Sequence, residues 1–300
     1  MSTTTDVAVD DEQSITPSAP RDNRGRLLRR LRRNPLAVVS FVVLALAIVV
    51  AVLSPWLAPY APEATDFGRT FAPPGTPGHP LGTDDLGRDV LSRVLWGMRA
   101  SLTVGVLAVA TALAVGVPLG LAAGYFRVCD AVVSRLADLM LAFPFLILAV
   151  GLAAIRGASL ANAAVAIGVA QIPGVIRVVR SDTLRLKSLD FVAASVVDGA
   201  GDLWILRRHV LPNATSVVLV QATVAIPAAI LGEAVLSFLG LGIQPPDPSL
   251  GTMLATAQQF AARAPWSAVV PGLAIMALAL AFNVFGDSLR DALDPKGSTR

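Results

Sequence analysis

Six stretches of the sequence carry almost nothing but apolar side chains: 36–58, 101–125, 132–155, 161–179, 214–236 and 267–285. A bilayer core about 30 Å thick requires about 20 residues of helix to cross it, so the pattern predicts six transmembrane helices and an all-α, polytopic membrane protein. Spans two to six each contain a proline: Pro118, Pro144, Pro173, Pro227 and Pro271. An interior proline removes a backbone hydrogen bond and is expected to kink its helix, which is tolerated where neighbouring helices cover the freed carbonyl. Span two reads GVPLGLAAG, setting Gly116, Gly120 and Gly124 four residues apart on one face. Small residues at that spacing let another helix approach closely, so these three are assigned to helix packing. Such packing suits a moving gate and a static bundle equally.

Two polar interruptions stand out between the spans. HPLGTDDLGRDVLSRVLWGMRASL opens on a Pro/Gly turn and continues as a helix. Leu86, Val90, Leu91, Val94, Leu95 and Met98 fall on one stripe, with Arg88, Asp89, Ser92, Arg93 and Arg99 elsewhere, which predicts an interfacial helix leading into span two. Asp84, Asp85 and Asp89 are read as helix-start capping and dipole partners in preference to a cation site. The second interruption, FVAASVVDGAGDLWILRRHVLPNA over 191–214, reads as two short helices. Asp190 is placed to cap the first, GAGD breaks it at Gly199, and Asp202 is placed to cap a second that runs to His209 and stops before Pro212. Its apolar residues Phe191, Val192, Val196, Leu203, Trp204, Ile205 and Leu206 exceed what a solvated loop needs. The headgroup layer, the protein's own helices or a cytosolic partner would each provide the cover.

Composition supports the membrane reading: 54% of the 300 residues are apolar and 15% charged, too oily for an ordinary soluble domain of this size. Arginine outnumbers lysine 22 to 2. With the N-terminus inside, 18 of these 24 cations lie in cytoplasmic segments and 6 outside, which predicts cytoplasmic termini and a cytoplasmic 180–211 segment. The first 20 residues read as a disordered tail. The late basic cluster Arg29, Arg30, Arg32 and Arg33, followed by a full-length apolar run, marks a retained anchor and not a signal peptide. Cys129 has no second cysteine, and neither His79 nor His209 has another histidine within helical reach, so no metal site is expected. Inside the spans Glu233 is the notable ionisable group, with Gln171, Gln221 and Asn283 polar. No relay of acids or histidines of the kind an ion-coupled carrier buries is present. The chain has no Gly-Lys dipeptide and hence no Walker A loop to cradle ATP.

The 191–212 segment resembles the coupling loop of binding-protein-dependent ABC importer permeases, whose pattern is Glu-Ala-Ala, three residues, Gly, nine residues, Ile, one residue, Leu-Pro. In register, Ala193, Ala194 and Ser195 fall at Glu-Ala-Ala, Gly199 at the glycine, His209 at the isoleucine and Leu211-Pro212 at the end. RRLRRNPLAVVS, the HPLG segment, GEAVLSFLGLGIQPPDPSLGTML and NVFGDSLRDALDP are similar to the C-type permease subunit of dipeptide, oligopeptide and nickel importers. The resemblance covers about residues 26–296 and departs from the pattern at Ala193, where the family commonly has glutamate. It implies a type I ABC importer membrane fold. The parts are a tail over 1–34, a first helix plus outer segment over 35–98, a transmembrane domain over 99–291 with a coupling loop at 189–211, and a C-terminal tail over 292–300. It further implies a multi-pass location in a bacterial or archaeal cytoplasmic membrane, a B-type permease partner, two ATPase subunits and an extracytoplasmic solute-binding protein. ATP and Mg would bind the ATPases, with no cofactor in this chain and no nucleic-acid partner. The coupling contact would comprise Phe191, Val192, Ala193, Ala194, Ser195, Val196, Gly199, Asp202, Leu211 and Pro212. The expected function is the pore subunit of a di- or oligopeptide importer, itself no enzyme. The alternatives are nickel or another small solute, a stand-alone carrier or channel, and, more remotely, a membrane scaffold.

Overall fold

The computed structural model describes residue 29 and residues 31–293. The tail over 1–20, Arg30 of the basic cluster and residues 294–300 lie outside the described residues. Ten helices organise the described chain: α1 (Pro35–Leu57), α2 (Val90–Tyr125), α3 (Arg127–Leu141), α4 (Phe145–Arg156), α5 (Leu160–Lys187), α6 (Asp190–Val197), α7 (Asp202–Ile205), α8 (Leu211–Phe238), α9 (Leu250–Gln258) and α10 (Trp266–Leu293). There is no strand among the described residues. Asn34 starts α1 by accepting from the amides of Leu36 and Ala37, with Pro35 at the first helical position where its missing N–H costs nothing. Ala37, Ser40, Leu44, Ala51 and Ser54 form the buried face of α1, which packs on α2 and α10. Leu36, Phe41, Leu46 and Trp56 remain exposed, as expected of a helix in lipid.

The closest pairing in the fold is α2 against α5. A Cβ on Gly116, Gly120 or Gly124 would stand 2.7, 2.8 and 2.5 Å from the Cβ atoms of Val175, Val179 and Thr183. Gly168 of α5 meets the carbonyl of Ala108 in the same way. Only hydrogen fits at these positions, so backbone lies nearly on backbone. Helix α2 touches α1, α3, α5, α8, α9 and α10, and α8 touches α2, α4, α5, α9 and α10.

Five helices are long and apolar enough to span a bilayer alone, and α3 with α4 would make a sixth. The kink expected at Pro144 in the third span is present as a sharp break. The two helices meet at 91° across 142–144, because Pro144 lacks an N–H and forces its predecessor out of helical geometry. The charges of α3 turn to α5: Asp130 accepts from Arg180 at 2.5 and 2.8 Å, and Asp138 from Arg177 at 2.8 Å. Pro118, Pro173, Pro227 and Pro271 sit inside unbroken helices.

The outer segment also differs from its sequence pattern. Helix α2 runs from Val90 without interruption, so no separate interfacial helix precedes span two, and Leu86 lies outside it. Arg88, Asp89, Ser92 and Arg93, assigned to the polar side, are buried. The reason is a folded cap over residues 59–89. Asp84 accepts from Arg88 Nε at 2.7 Å and faces Arg93 at 3.5 Å, and Asp85 pairs with Arg88 at 3.3 Å. Asp89 caps α2 through Ser92, and its other oxygen meets His79 Nδ1 at 3.0 Å beneath the stacked ring of Tyr60. Paired in this way, the charges can be buried. No cluster of three or more metal-ligating side chains occurs among the described residues.

Candidate functional site

Segment 189–211 forms a helical hairpin between α5 and α8. Helix α6 ends in two bonds that define a Schellman turn, Gly199 N–H to Val196 O and Ala200 N–H to Ser195 O, both 3.0 Å. Gly199 has φ +79°, a left-handed conformation open to glycine and costly for a side chain. Helix α7 then widens into a π-turn over Leu206–Val210 and passes directly into α8.

One face of the hairpin closes on the bundle. Val192, Ile205 and Val210 are fully buried among Leu121, Val175, Val179 and Leu186. The other face is open: Phe191, Val196, Val197, Leu203 and Trp204 are all exposed, Val197 to 86%. The imidazole of His209 lies 5.9 Å from the ring of Phe191 and 5.1 Å from that of Trp204, joining the two arms beneath this surface. Arg207 and Arg208 are exposed on the π-turn.

The hairpin is tied to the ends of two spans. Tyr125, the last residue of α2, donates its hydroxyl to Asp202 Oδ1 at 3.0 Å. Lys187, the last of α5, donates to the carbonyl of Tyr125 at 2.7 Å and sits 4.8 Å from its ring centroid. α7, the π-turn and α8 form one continuous run over Asp202–Phe238, so the hairpin is joined through the backbone to α8 and through these bonds to the ends of α2 and α5.

Several sequence assignments change here. Val192, expected among the contact residues, is 2% exposed and packs inward, whereas Val197, not among them, is the most exposed apolar residue of the hairpin. Asp190 does not cap α6: Leu189 holds the cap position, and Asp190 is the first helical residue, where its charge suits the helix dipole. Asp202 does not cap α7 either, because Gly201 precedes it and its carboxylate is engaged by Tyr125. Helix α7 does not stop before Pro212; the wider π-turn shifts the hydrogen-bond ladder, and Pro212 occupies the first turn of α8, where no N–H is needed. Ala193 and Ala194 are exposed, Ser195 is half-buried with its hydroxyl donated to Phe191 O at 2.8 Å, and Leu211 and Pro212 are exposed on the far side of the π-turn. Tyr125 and Lys187 were not singled out in the sequence; the legible signal was a tyrosine at the end of an apolar span, where aromatic residues mark the interface.

Comparison with known proteins places these elements among transporters. Residues 116–298 match the family described as binding-protein-dependent transport system inner membrane component, and residues 25–74 match the N-terminal transmembrane domain of oligopeptide transport permease C. The chain is 42% identical over 269 residues to a dipeptide transport system permease protein of Alkalihalophilus pseudofirmus, covering 89% of this chain and 88% of that protein. It is 42% identical over 271 residues to the corresponding protein of Haemophilus influenzae, covering 88% and 92%. A glutathione transport system permease protein of Pectobacterium atrosepticum is 42% identical over 270 residues, with 89% of each chain covered. Among solved structures, the MetNI methionine ABC transporter in inward facing conformations aligns with a TM-score of 0.57 at 20% identity, covering 68% of this chain and 97% of that one.

Proposed function

We propose a function for this chain from one premise: it belongs to the family of binding-protein-dependent transport system inner membrane components, with an N-terminal region of the oligopeptide permease C type. It is a membrane-spanning permease subunit of an ABC importer. The finer reading is that it imports di- or oligopeptides together with a B-type permease, two ATPase subunits and an extracytoplasmic solute-binding protein, with both termini and the hairpin in the cytoplasm. ATP and Mg would be held by the ATPases, and hydrolysis would occur there.

One observation carries the coupling role: the hairpin leaves Phe191, Val196, Val197, Leu203 and Trp204 exposed while Val192, Ile205 and Val210 are locked into the bundle. Covering that surface would gain about 25 cal/mol per Å² of apolar area, and Ala193 brings no charge to replace it. An ATPase seated there would move the hairpin when nucleotide closes the ATPase pair. Through the Tyr125–Asp202 and Lys187–Tyr125 bonds and the unbroken run into α8, that motion would reach the helices bordering the path.

The test is ATP hydrolysis by the reconstituted complex with its binding protein. A dipeptide should stimulate it and nickel should not; stimulation by nickel alone would replace the substrate. Transport by this chain without any ATPase subunit would make it a stand-alone carrier and overturn the coupling reading.

A further inference from the structure

Helix α2 has a second face that α5 does not use. Ala110, Ala114, Pro118 and Leu121 follow one another at intervals of four, four and three residues, on one side of the helix. Two residues along an α-helix are about 200° apart, so Ala114 and Pro118 lie nearly opposite Gly116 and Gly120, which meet α5. With Leu206 and Leu211 these residues line an open groove of about 610 Å³. The two leucines belong together because the Leu211 N–H bonds back to Leu206 O across the π-turn. No polar side chain lines the groove. It is deep where α2 carries only alanine at 110 and 114, and it ends where the exposed Val106 and Leu107 take over.

Length and charge decide what lies there. From Ala110 to Leu121 the groove runs about 16 Å at the helical rise per residue, half of a hydrocarbon core about 30 Å thick. A partner's spanning helix would need a groove along the whole core, whereas an acyl chain belongs to one leaflet. Tails are as apolar as leucine, so an apolar groove by itself prefers neither. The mouth of the groove supplies the preference. Arg207 and Arg208 follow Leu206 directly, both exposed and neither with a hydrogen bond or ion pair among the described residues. By contrast Arg177, Arg180 and Arg185 are bonded to Asp138, Asp130 and Asp182, and Lys187 to the carbonyl of Tyr125. Free cations where an apolar groove reaches the membrane surface complement an anionic headgroup.

We propose that this groove is a phospholipid site: an acyl chain of the leaflet on the hairpin's side lies along α2 against Leu206 and Leu211, and its anionic headgroup meets Arg207 and Arg208. The lipid is then a ligand at the root of the hairpin, and the anionic lipid content of the membrane acts on that segment. None of the residues proposed to meet the ATPase lines the groove, so the two assignments are tested separately.

The test uses the full complex in detergent with phosphatidylglycerol that carries a diazirine on its acyl chain. Irradiation should attach the probe to the 110–121 segment. Unlabelled phosphatidylglycerol should compete about twenty-five-fold better than phosphatidylcholine, about fivefold for each basic contact, and Arg207→Gln and Arg208→Gln should each remove about fivefold of that preference. Ala114→Phe, which fills the groove from an exposed position, should abolish labelling of the segment while the partner permease and the ATPase subunits stay bound. Equal competition by phosphatidylcholine, or an undiminished preference in both arginine variants, would reduce the contact to annular lipid and overturn the site. A probe that does not reach 110–121 in the unaltered complex would give the groove to the partner permease, as would loss of that chain from the Ala114→Phe complex; either result overturns the proposal.

Discussion

Gly199 and Gly120 show two separate demands on glycine. At Gly199 the demand is conformational: φ is +79° and nothing stands within 4 Å of where a Cβ would be. Gly199→Val should therefore cost about 1–2 kcal/mol through the backbone alone, while Gly199→Asn, which tolerates that region, should retain more transport; equal loss in both would point to crowding by a partner. At Gly120 the demand is space, since a Cβ would lie 2.8 Å from Val179 and 3.0 Å from the carbonyl of Ile176. Gly120→Leu should destabilise by about 1–3 kcal/mol and lower the thermal midpoint, whereas Val117→Leu, at the edge of an open groove, should leave it unchanged. Both glycines were legible, one from its place between two short helices and one from a four-residue repeat. Val192 and Val197 were not distinguishable in this way: in an eight-residue helix the sequence offers apolar residues on both sides, and only packing against Leu186 and Val179 decides which turns inward. The same limit applies to Arg93, whose burial depends on Asp84, a residue with which its stripe of α2 has no periodic relation.

At the scale of elements, the apolar blocks located the long helices because length and hydropathy alone define a bilayer crossing. The effect of each proline depends on hydrogen bonding and not on hydropathy: the bend expected at Pro144 forms, and the stop expected before Pro212 does not. Pro144 breaks the third block into helices at 91°, while Pro212 breaks nothing, since a π-turn precedes it. Proline type is identical in the two cases and the preceding backbone differs. The outer cap depends on one carboxylate, Asp89, which holds the start of α2 through Ser92 and the cap through His79. Loss of an N-cap costs about 1 kcal/mol. Asp89→Ala should also free the loop bearing Tyr60, whose amide donates to Ser92 Oγ at 3.2 Å, and limited trypsin digestion should then cut faster at exposed Arg69. An unchanged digestion rate would show that the ion pairs of Arg88 and Arg93 hold the cap without Asp89.

At the scale of the whole molecule, a helical bundle carries the hairpin between α5 and α8. Orientation comes first: with 18 of 24 cations assigned to the cytoplasmic side, Ser188→Cys in a Cys129→Ser background should resist an impermeant thiol reagent added outside intact cells. Labelling there would invert the topology. The central claim is that the open face of the hairpin seats an ATPase, and Val197 is its most exposed apolar residue. A buried valine contributes about 1.5–3 kcal/mol, or roughly ten- to a hundredfold in affinity, and placing a carboxylate there adds a desolvation cost. The direct measurement is the ratio of ATPase to permease chains in detergent-purified complexes carrying Val197→Asp. The ratio should fall at least about tenfold and transport should be lost, with the partner permease still bound; an unchanged ratio with unchanged transport would contradict the account.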